Sequence, residues 1–481
     1  MGELDRTKVV SATKWSAVTE IAAKLVSPLS TMILARLLAP EAFGVLVTAQ
    51  MVISFAEIFT DAGFQKYLIQ HQFRDEESLY QSTSVAFWSN LVMSIAIWII
   101  IVLFSDKIAH LVGNDGYGLV VAVSCVCIPL SAFSSIQMAL FKRDMDFKTL
   151  FLVRIVGVLV PLVVTIPLAY FTRSYWSLII GMIALNLSNA ILLTWKSRWK
   201  PHFFYRFSLF KEMFSFTVWS MLESISIWMT GYADIFIVGT MLNVYYMGIY
   251  RTATSIVGSI MGIITAATTP VLFSALSRLQ DNDNEFRQLF FRFQKIVGLL
   301  VIPLGVGIFL FRDFVTMVLL GEQWKEASYF IGWWGLTDAV TIVLAHYSSE
   351  IFRAKGKPKY SVLAQLLHLC FLVPTVLVAA KYSFDVLCLS RSLVRLTLVA
   401  INLPLLYVLV KVTPLQMFGN LFHSMIAATA MALTYCMLPH TDNIVYTILY
   451  IILCGSVYVG VAMMFRTERN IILNLKTILK R

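Results

Sequence analysis

The sequence predicts an all-α protein that crosses a membrane many times, and three observations lead there. Of 481 residues, 58% are hydrophobic and only 14% charged, and the mean hydropathy is +0.77, whereas soluble domains average about 45–50% apolar and about 25% charged. The apolar residues gather into stretches of roughly 20, the length an α-helix needs to span hydrocarbon. Lys and Arg are dense in every second loop between those stretches and sparse in the others.

Fourteen such stretches follow one another. The first, 15–38, comes after a polar, mixed-charge segment and has no small-residue cleavage site, so it is expected to stay as a helix rather than leave as a signal peptide. Pro40 and Glu41 introduce the second, 42–65: proline suits the first helical position, and glutamate favours the positive end of the helix dipole. The third to sixth occupy 79–104, 118–141, 149–171 and 174–195. The seventh and eighth are 212–238 and 246–276, and the ninth, 296–311, is the shortest. The last five are 327–352, 360–380, 385–410, 417–438 and 443–465. From Arg466 the tail alternates basic residues with Ile471, Ile472, Leu475, Ile478 and Leu479, as either an amphipathic helix on the inner leaflet or a frayed polar end would. The loops between stretches are too short for a folded catalytic module.

Charge sets the direction. With the N-terminus in the cytoplasm, cytoplasmic segments carry 27 of the 38 Lys and Arg residues, while the outer loops hold only Lys107, Arg173, Arg312, Lys325 and Lys381. Both termini are therefore expected inside, with an even number of spans. The same asymmetry accounts for the net charge of +11 without a nucleic-acid partner. All six cysteines lie in apolar stretches, with no disulfide or zinc framework.

An internal repeat organises the spans. Sliding the sequence by 204 positions places ILARLLAPEAFGVLVTA (33–49) on IVGTMLNVYYMGIYRTA (237–253), so that Ile33, Leu38, Gly44, Thr48 and Ala49 fall on Ile237, Leu242, Gly248, Thr252 and Ala253. Both copies cover the join between an odd-numbered span and the next. The expected architecture is two parallel six-helix lobes in a V-shaped bundle, residues 1–200 and 201–411, followed by two further helices and a basic tail over 412–481. Two-lobe bundles of this kind are the usual frame for alternating access.

Ionisable groups deep in hydrocarbon cost at least about 2.5–3.5 kcal/mol each on insertion scales, so they mark cavities or partners. Glu20 and Lys24 share one face of the first helix, and Glu57 and Asp61 share one face of the second. Counting from the turn brings Lys24 to the depth of Glu57. Three carboxylates outnumber one lysine there, so the cluster reads either as a packing ion pair or as a proton or cation site. In the second lobe Glu223, Asp234 and Arg251 occupy the matching hairpin, and Asp338 lies mid-span in the tenth stretch. Arg391 and Arg395 are one turn apart, suited either to an anionic group in a cavity or to lipid headgroups and Asp385. Arg36 lies near the outer end of the first helix, where it either snorkels or joins Arg251 in an outer ring.

Signals of catalysis are missing from the chain: there is no GxxxxGK[ST], HExxH, GxSxG or CxxC. His110, His346 and His368 are scattered without metal-ligand spacing, and DNDNE at 281–285 reads as a solvated loop.

Five short motifs in order, ARLLAPEAFGVL (35–46), FKRDMDFKTL (141–150), YWSL (175–178), ADIFIVG with GIYRTA (233–239 and 248–253) and LGEQW (320–324), resemble the Wzx-type polysaccharide flippases. The resemblance is narrowest to the branch exporting exopolysaccharide, colanic acid or teichuronic acid repeat units, within the multidrug/oligosaccharidyl-lipid/polysaccharide exporter superfamily. It implies a non-enzymatic protein of the bacterial cytoplasmic membrane that flips an undecaprenyl-diphosphate-linked oligosaccharide, with helices 1, 2, 7 and 8 lining a central cavity. Its partners would be that lipid-linked substrate, the bilayer and polysaccharide-assembly proteins. No cofactor is implied beyond a coupling Na+ or H+. On this reading Arg36, Arg251, Arg391, Arg395 and Lys24 hold the anionic head, while Glu20, Glu57, Asp61, Asp234 and Asp338 couple or gate. A multidrug/cation antiporter of the same superfamily and a membrane-embedded polymerase or ligase are the alternatives.

Overall fold

A computed structural model describes residues 26–478 except 62, 358, 440 and 442, and omits the side chains of 61, 215–220, 222, 223, 226, 270 and 474–478. Glu20 and Lys24 lie outside the described residues, as do the side chains of Asp61 and Glu223. Among the described residues every regular element is helical, and eleven helices are long and apolar enough to cross a membrane. Many of their large apolar side chains point outward, including Val163 (71% exposed) and Leu103 (72% exposed), which suits hydrocarbon rather than water as the surrounding solvent. The chain is a multi-pass, all-α membrane protein. Three of the fourteen expected spans are not among the eleven. Val26–Leu37 is short as described, Phe207–Met241 contains side chains outside the described set, and Pro414–Met437 carries Gln416, Asn420 and His423.

Contacts divide the chain into a unit ending at Arg251 and a unit beginning at Thr252, one long helix, Phe207–Met241, and two turns of the next beyond the boundary read from the repeat. In the first unit, α1 (Val26–Leu37) turns into α2 (Pro40–Asp61), which starts at Pro40 with Glu41 in its first turn. The second span was expected to run to 65, but α2 stops at Asp61. Gly63 takes φ +98, open to a residue without a Cβ, and a short α3 (Phe64–Gln70) leaves at a new angle. Asp75 caps α4 (Glu76–Leu103) by accepting from Ser78 N at 2.8 Å. Next come α5 (Ser105–Leu111), α6 (Gly118–Ser124) and α7 (Cys127–Arg143). Arg143 donates to the carbonyls of Leu68 (2.6 Å) and His71 (2.8 Å), satisfying the end of α3. Asp146 then caps α8 (Phe147–Val160). Pro161 lacks an N–H, and a π-helical turn over Pro161–Thr165 accommodates the loss before α9 (Ile166–Thr172). The unit continues through α10 (Trp176–Lys196), α11 (Phe207–Met241) and the first turns of α12 (Val244–Arg278). Phe64, Leu68, Phe87, Ile136 and Trp199 form one of its cores.

The second unit takes the rest of α12, then α13 (Asp283–Leu310), a 28-residue helix where the sequence predicted its shortest span. After α14 (Arg312–Leu319) comes a 3-10 turn, Glu322–Trp324, entered through Gly321 at φ +99 and anchored by the fully buried Trp324. The span starting with α15 (Ala327–Thr341) passes through a π-helical turn, Ile342–His346, into α16 (Ser348–Ala354). Beyond α17 (Lys359–Ala379), the expected span 385–410 is interrupted between α18 (Phe384–Val394) and α19 (Thr397–Val410). The Thr397 hydroxyl donates to the Val394 carbonyl at 2.7 Å, competing with the helical ladder at that break. The last helices are α20 (Pro414–Met437), α21 (Ile444–Met464) and α22 (Arg466–Ile478). Small residues Ala427, Ala428 and Ala462 let α20 and α21 pack closely against α13. The tail is thus helical where it is described, and Glu468 is wholly buried between His423 Nδ1 at 3.0 Å and Lys295 Nζ at 3.4 Å.

Candidate functional site

Three polar features stand inside the apolar helices. The first is a joint between the two copies of the repeat. Gly44, in the second turn of α2, lies so close to α12 that a Cβ would overlap the Val244 carbonyl and approach its carbon and Cγ2 to 2.8 Å. Gly248, in the second turn of α12, reciprocates: its Cβ would overlap the Pro40 carbonyl and come within 2.9 Å of Gly44 N. The repeat aligns Gly44 with Gly248 and Pro40 with Val244, so the contact is symmetric within the repeat. Just beneath it, Asn114 donates to the hydroxyl of buried Thr48, which reaches Met247 Sδ at 3.4 Å. The repeat pairs the two glycines in the sequence, and the fold sets each against the other's helix.

Beside the joint, Asp234 of α11 is buried and accepts from Tyr250 Oη of α12 at 2.5 Å, and its other oxygen accepts from Ile235 N at 2.8 Å. Among the expected gating residues, Asp234 thus holds two helices of one hairpin together. Arg251 is half-buried, with its guanidinium 5.8 Å from the Tyr232 ring centre. Arg36 is exposed in the last turn of α1. Both arginines make further interactions.

The second feature is a cavity of about 280 Å³ in the first unit, bordered by Glu57, Ser54, Thr60, Lys66, Asn90 and Ser135. Its wall is ordered by hydrogen bonds from Trp228 Nε1 to Ser54 (3.0 Å) and from Asn90 to Ser135 (2.8 Å). A half-buried carboxylate among hydroxyls and an amide, with the Lys66 ammonium on the same border, has the chemistry to take a proton or, in competition with that lysine, a small hard cation. The expected Lys24–Glu57 pairing falls outside the described residues.

The third feature lies in the second unit. Arg391 and Arg395 share a face, and their guanidinium carbons lie 4.8 and 4.3 Å from the Trp334 ring centre. Arg395 also pairs with buried Asp338 at 2.5 Å. Its carboxylate partner therefore comes from α15, a pairing sequence reasoning missed; the clue was Trp334 and Asp338 one turn apart on one helix. Two cations and one carboxylate leave this trio a net positive charge, with aromatic π-density beneath it. Arg395 sits at the α18–α19 break and Asp338 just before the π-helical turn, and interrupted helices are where membrane proteins expose polar groups to a cavity. Beyond that turn Tyr347 Oη meets Thr268 Oγ1 at 2.7 Å, and His368 Nδ1 meets Thr397 Oγ1 at 2.7 Å, a packed histidine.

The sequence profile of the family described as "Polysaccharide biosynthesis protein" matches residues 33–329. An "Uncharacterized membrane protein in cps region" of Klebsiella pneumoniae is 22% identical over 373 residues, covering 77% of this chain and 76% of that protein. The lipopolysaccharide biosynthesis protein WzxC of Escherichia coli strain K12 is 21% identical over 323 residues, covering 67% of this chain and 65% of its own. Among solved structures, the lipid II flippase MurJ in an inward closed conformation superposes with a TM-score of 0.76 at 14% identity, over 95% of this chain and 99% of that one. That likeness is one of fold.

Proposed function

The chain belongs to the polysaccharide biosynthesis protein family, and on that premise we propose that it carries a lipid-linked oligosaccharide across the bacterial cytoplasmic membrane as a transporter rather than an enzyme. The observation that carries this reading is the Arg391–Arg395–Trp334–Asp338 cluster. A diphosphate-linked head needs a positive, partly desolvated site inside hydrocarbon, and guanidinium groups suit phosphate oxygens in number and geometry of donors. Asp338 holds Arg395 in place until an anion competes for it. The lipid tail meanwhile has no need to leave the bilayer.

The repeat-related joint at Gly44 and Gly248 serves as a gate at the outer helix ends, closed in this conformation and parted when the pathway opens outward. Both termini face the cytoplasm, as the distribution of Lys and Arg favours. Glu57, with Asp61 one turn beyond, supplies the coupling site for Na+ or H+. Assembly proteins that use the delivered repeat units are the natural partners.

Complementation tests the reading. In a strain lacking this protein, the wild-type chain restores surface polymer, while Arg391→Ala with Arg395→Ala reaches the membrane in normal amount and restores none. Full restoration by the double variant would remove the cluster from the mechanism.

A further inference from the structure

We propose that a second carbohydrate site lies in the second unit, between α14 and the ends of α20 and α21, where it receives sugar rings on the outer side of the membrane. A cavity of about 790 Å³ opens there among α14, the 3-10 turn and the last two spans, within the ~300–1,000 Å³ typical of small-ligand sites. Charge asymmetry assigns this end of α13 to the outside, so the proposal rests on the transport reading and its orientation.

The lining carries the chemistry of sugar recognition. Asp313 and Glu322 are exposed carboxylates that accept from hydroxyls, and Lys325 donates. Tyr435 and Tyr450 add aromatic faces, apolar enough to lie against a pyranose C–H face and tipped with hydroxyls. The walls are braced beforehand. Ser328 donates to Asp313, the Tyr435 ring packs edge-on against Phe311 with centroids 4.9 Å apart, and Gly321 and buried Trp324 fix the turn bearing Glu322.

Charge selects the ligand. Two carboxylates against one ammonium repel a diphosphate, and exposed carboxylates make poor company for an acyl chain. The class that fits is a neutral or amine-bearing oligosaccharide, the sugar part of a transported head rather than its phosphates. The site also gives the helices beyond the two repeated lobes a role in substrate handling, because α20 and α21 supply Tyr435, Thr447 and Tyr450.

Cysteine protection in living cells tests it without isolating the glycan. On a background with exposed Cys370 and Cys436 replaced by Ser, Thr447→Cys reports the cavity, and Val445→Cys, 65% exposed at the start of α21, reports the same surface outside it. Both are labelled with a membrane-impermeant maleimide, in cells making the lipid-linked repeat unit and in cells lacking the enzyme that places the first sugar phosphate on the lipid. Thr447→Cys should label about threefold more slowly in producing cells, as two-thirds occupancy requires. Val445→Cys should be unaffected, and Asp313→Asn with Glu322→Gln should abolish the protection. Equal labelling of Thr447→Cys in both strains overturns the site, as does protection that survives the double substitution. Surface polymer is scored in the same cells: restoration without protection refutes this site alone, whereas no restoration by the wild-type chain refutes the transport reading beneath it.

Discussion

Adding one methyl at Gly248 tests the gate. In the closed arrangement an alanine Cβ overlaps the Pro40 carbonyl oxygen and lies 2.8 Å from its carbon, so α2 and α12 must part by something on the order of 1 Å, because backbone cannot step aside as a flexible side chain would. Overpacking of this kind costs about 1–3 kcal/mol. Alanine's helix-propensity advantage of about 0.5–1 kcal/mol acts in closed and parted states alike, so it cancels from the gate equilibrium. The parted population should therefore rise roughly 5- to 150-fold. Gly44→Ala should do the same from the other side. Because the two contacts are reciprocal, parting the helices for one methyl makes room for the second, and the double variant should fall short of the sum. Thr48→Cys, buried just beneath the joint, reads the change through its labelling rate with an impermeant maleimide, with Leu111→Cys, 66% exposed, as reference. Unchanged Thr48→Cys labelling in both single alanine variants, or full additivity in the double, would refute the gate.

Other consequences are equally direct. Arg395→Gln strands the buried Asp338 carboxylate and should cost about 3–5 kcal/mol, Asp338→Asn leaves only the half-buried Arg395 and should cost less, and the double substitution should recover much of the first loss; thermal unfolding of the four purified proteins measures the cycle, and additive losses would show the pair to be uncoupled. Glu57→Gln and Asp61→Asn should each make transport insensitive to the coupling-ion gradient, and a gradient response matching wild type would clear both residues of that role. Burial alone would raise the Glu468 carboxyl, but hydrogen bonds from Thr467 and His423 and the charge of Lys295 outweigh it and hold the group below its ordinary value of 4.5. A depressed carboxyl contributes stability that is fully present above the unfolded value and is lost as pH falls through the folded one. Protection of the α22 amides, taken relative to intrinsic exchange at each pH, should hold constant from neutral pH down to about that ordinary value and fall below it, whereas Glu468→Gln should lower it across the whole plateau and converge with the wild type in acid; protection that stays constant through the acid range in the wild type would contradict the assignment.

Hydropathy and charge made the helical membrane fold legible because both act over windows of about 20 residues. The interruptions at 161–165, 342–346 and 395–396 were not legible, since the residues on either side stay apolar and hydropathy is blind to a shift in hydrogen-bond register. The shared face of Arg391 and Arg395 followed from their spacing, but Asp338 belongs to a distant helix and only packing reveals the pair. The short motifs now have physical reasons. In FKRDMDFKTL, Arg143 closes α3 and Asp146 opens α8. Asp234 of ADIFIVG bonds Tyr250 of GIYRTA, and LGEQW turns on Gly321 and plugs with Trp324. They are joints of the scaffold, which is why they announced the family more clearly than they announced a site.

The leaflet in which lipid-linked repeat units accumulate when this chain is removed tests the transport claim most directly. In spheroplasts of the deletion strain, sealed at the cytoplasmic face, the oligosaccharide should be shielded from an impermeant glycan-oxidising reagent and become reactive when the wild-type chain is restored. Lipid-linked units already reactive from outside in the deletion strain would place the missing step after translocation, as a polymerase or ligase would, and would contradict the account.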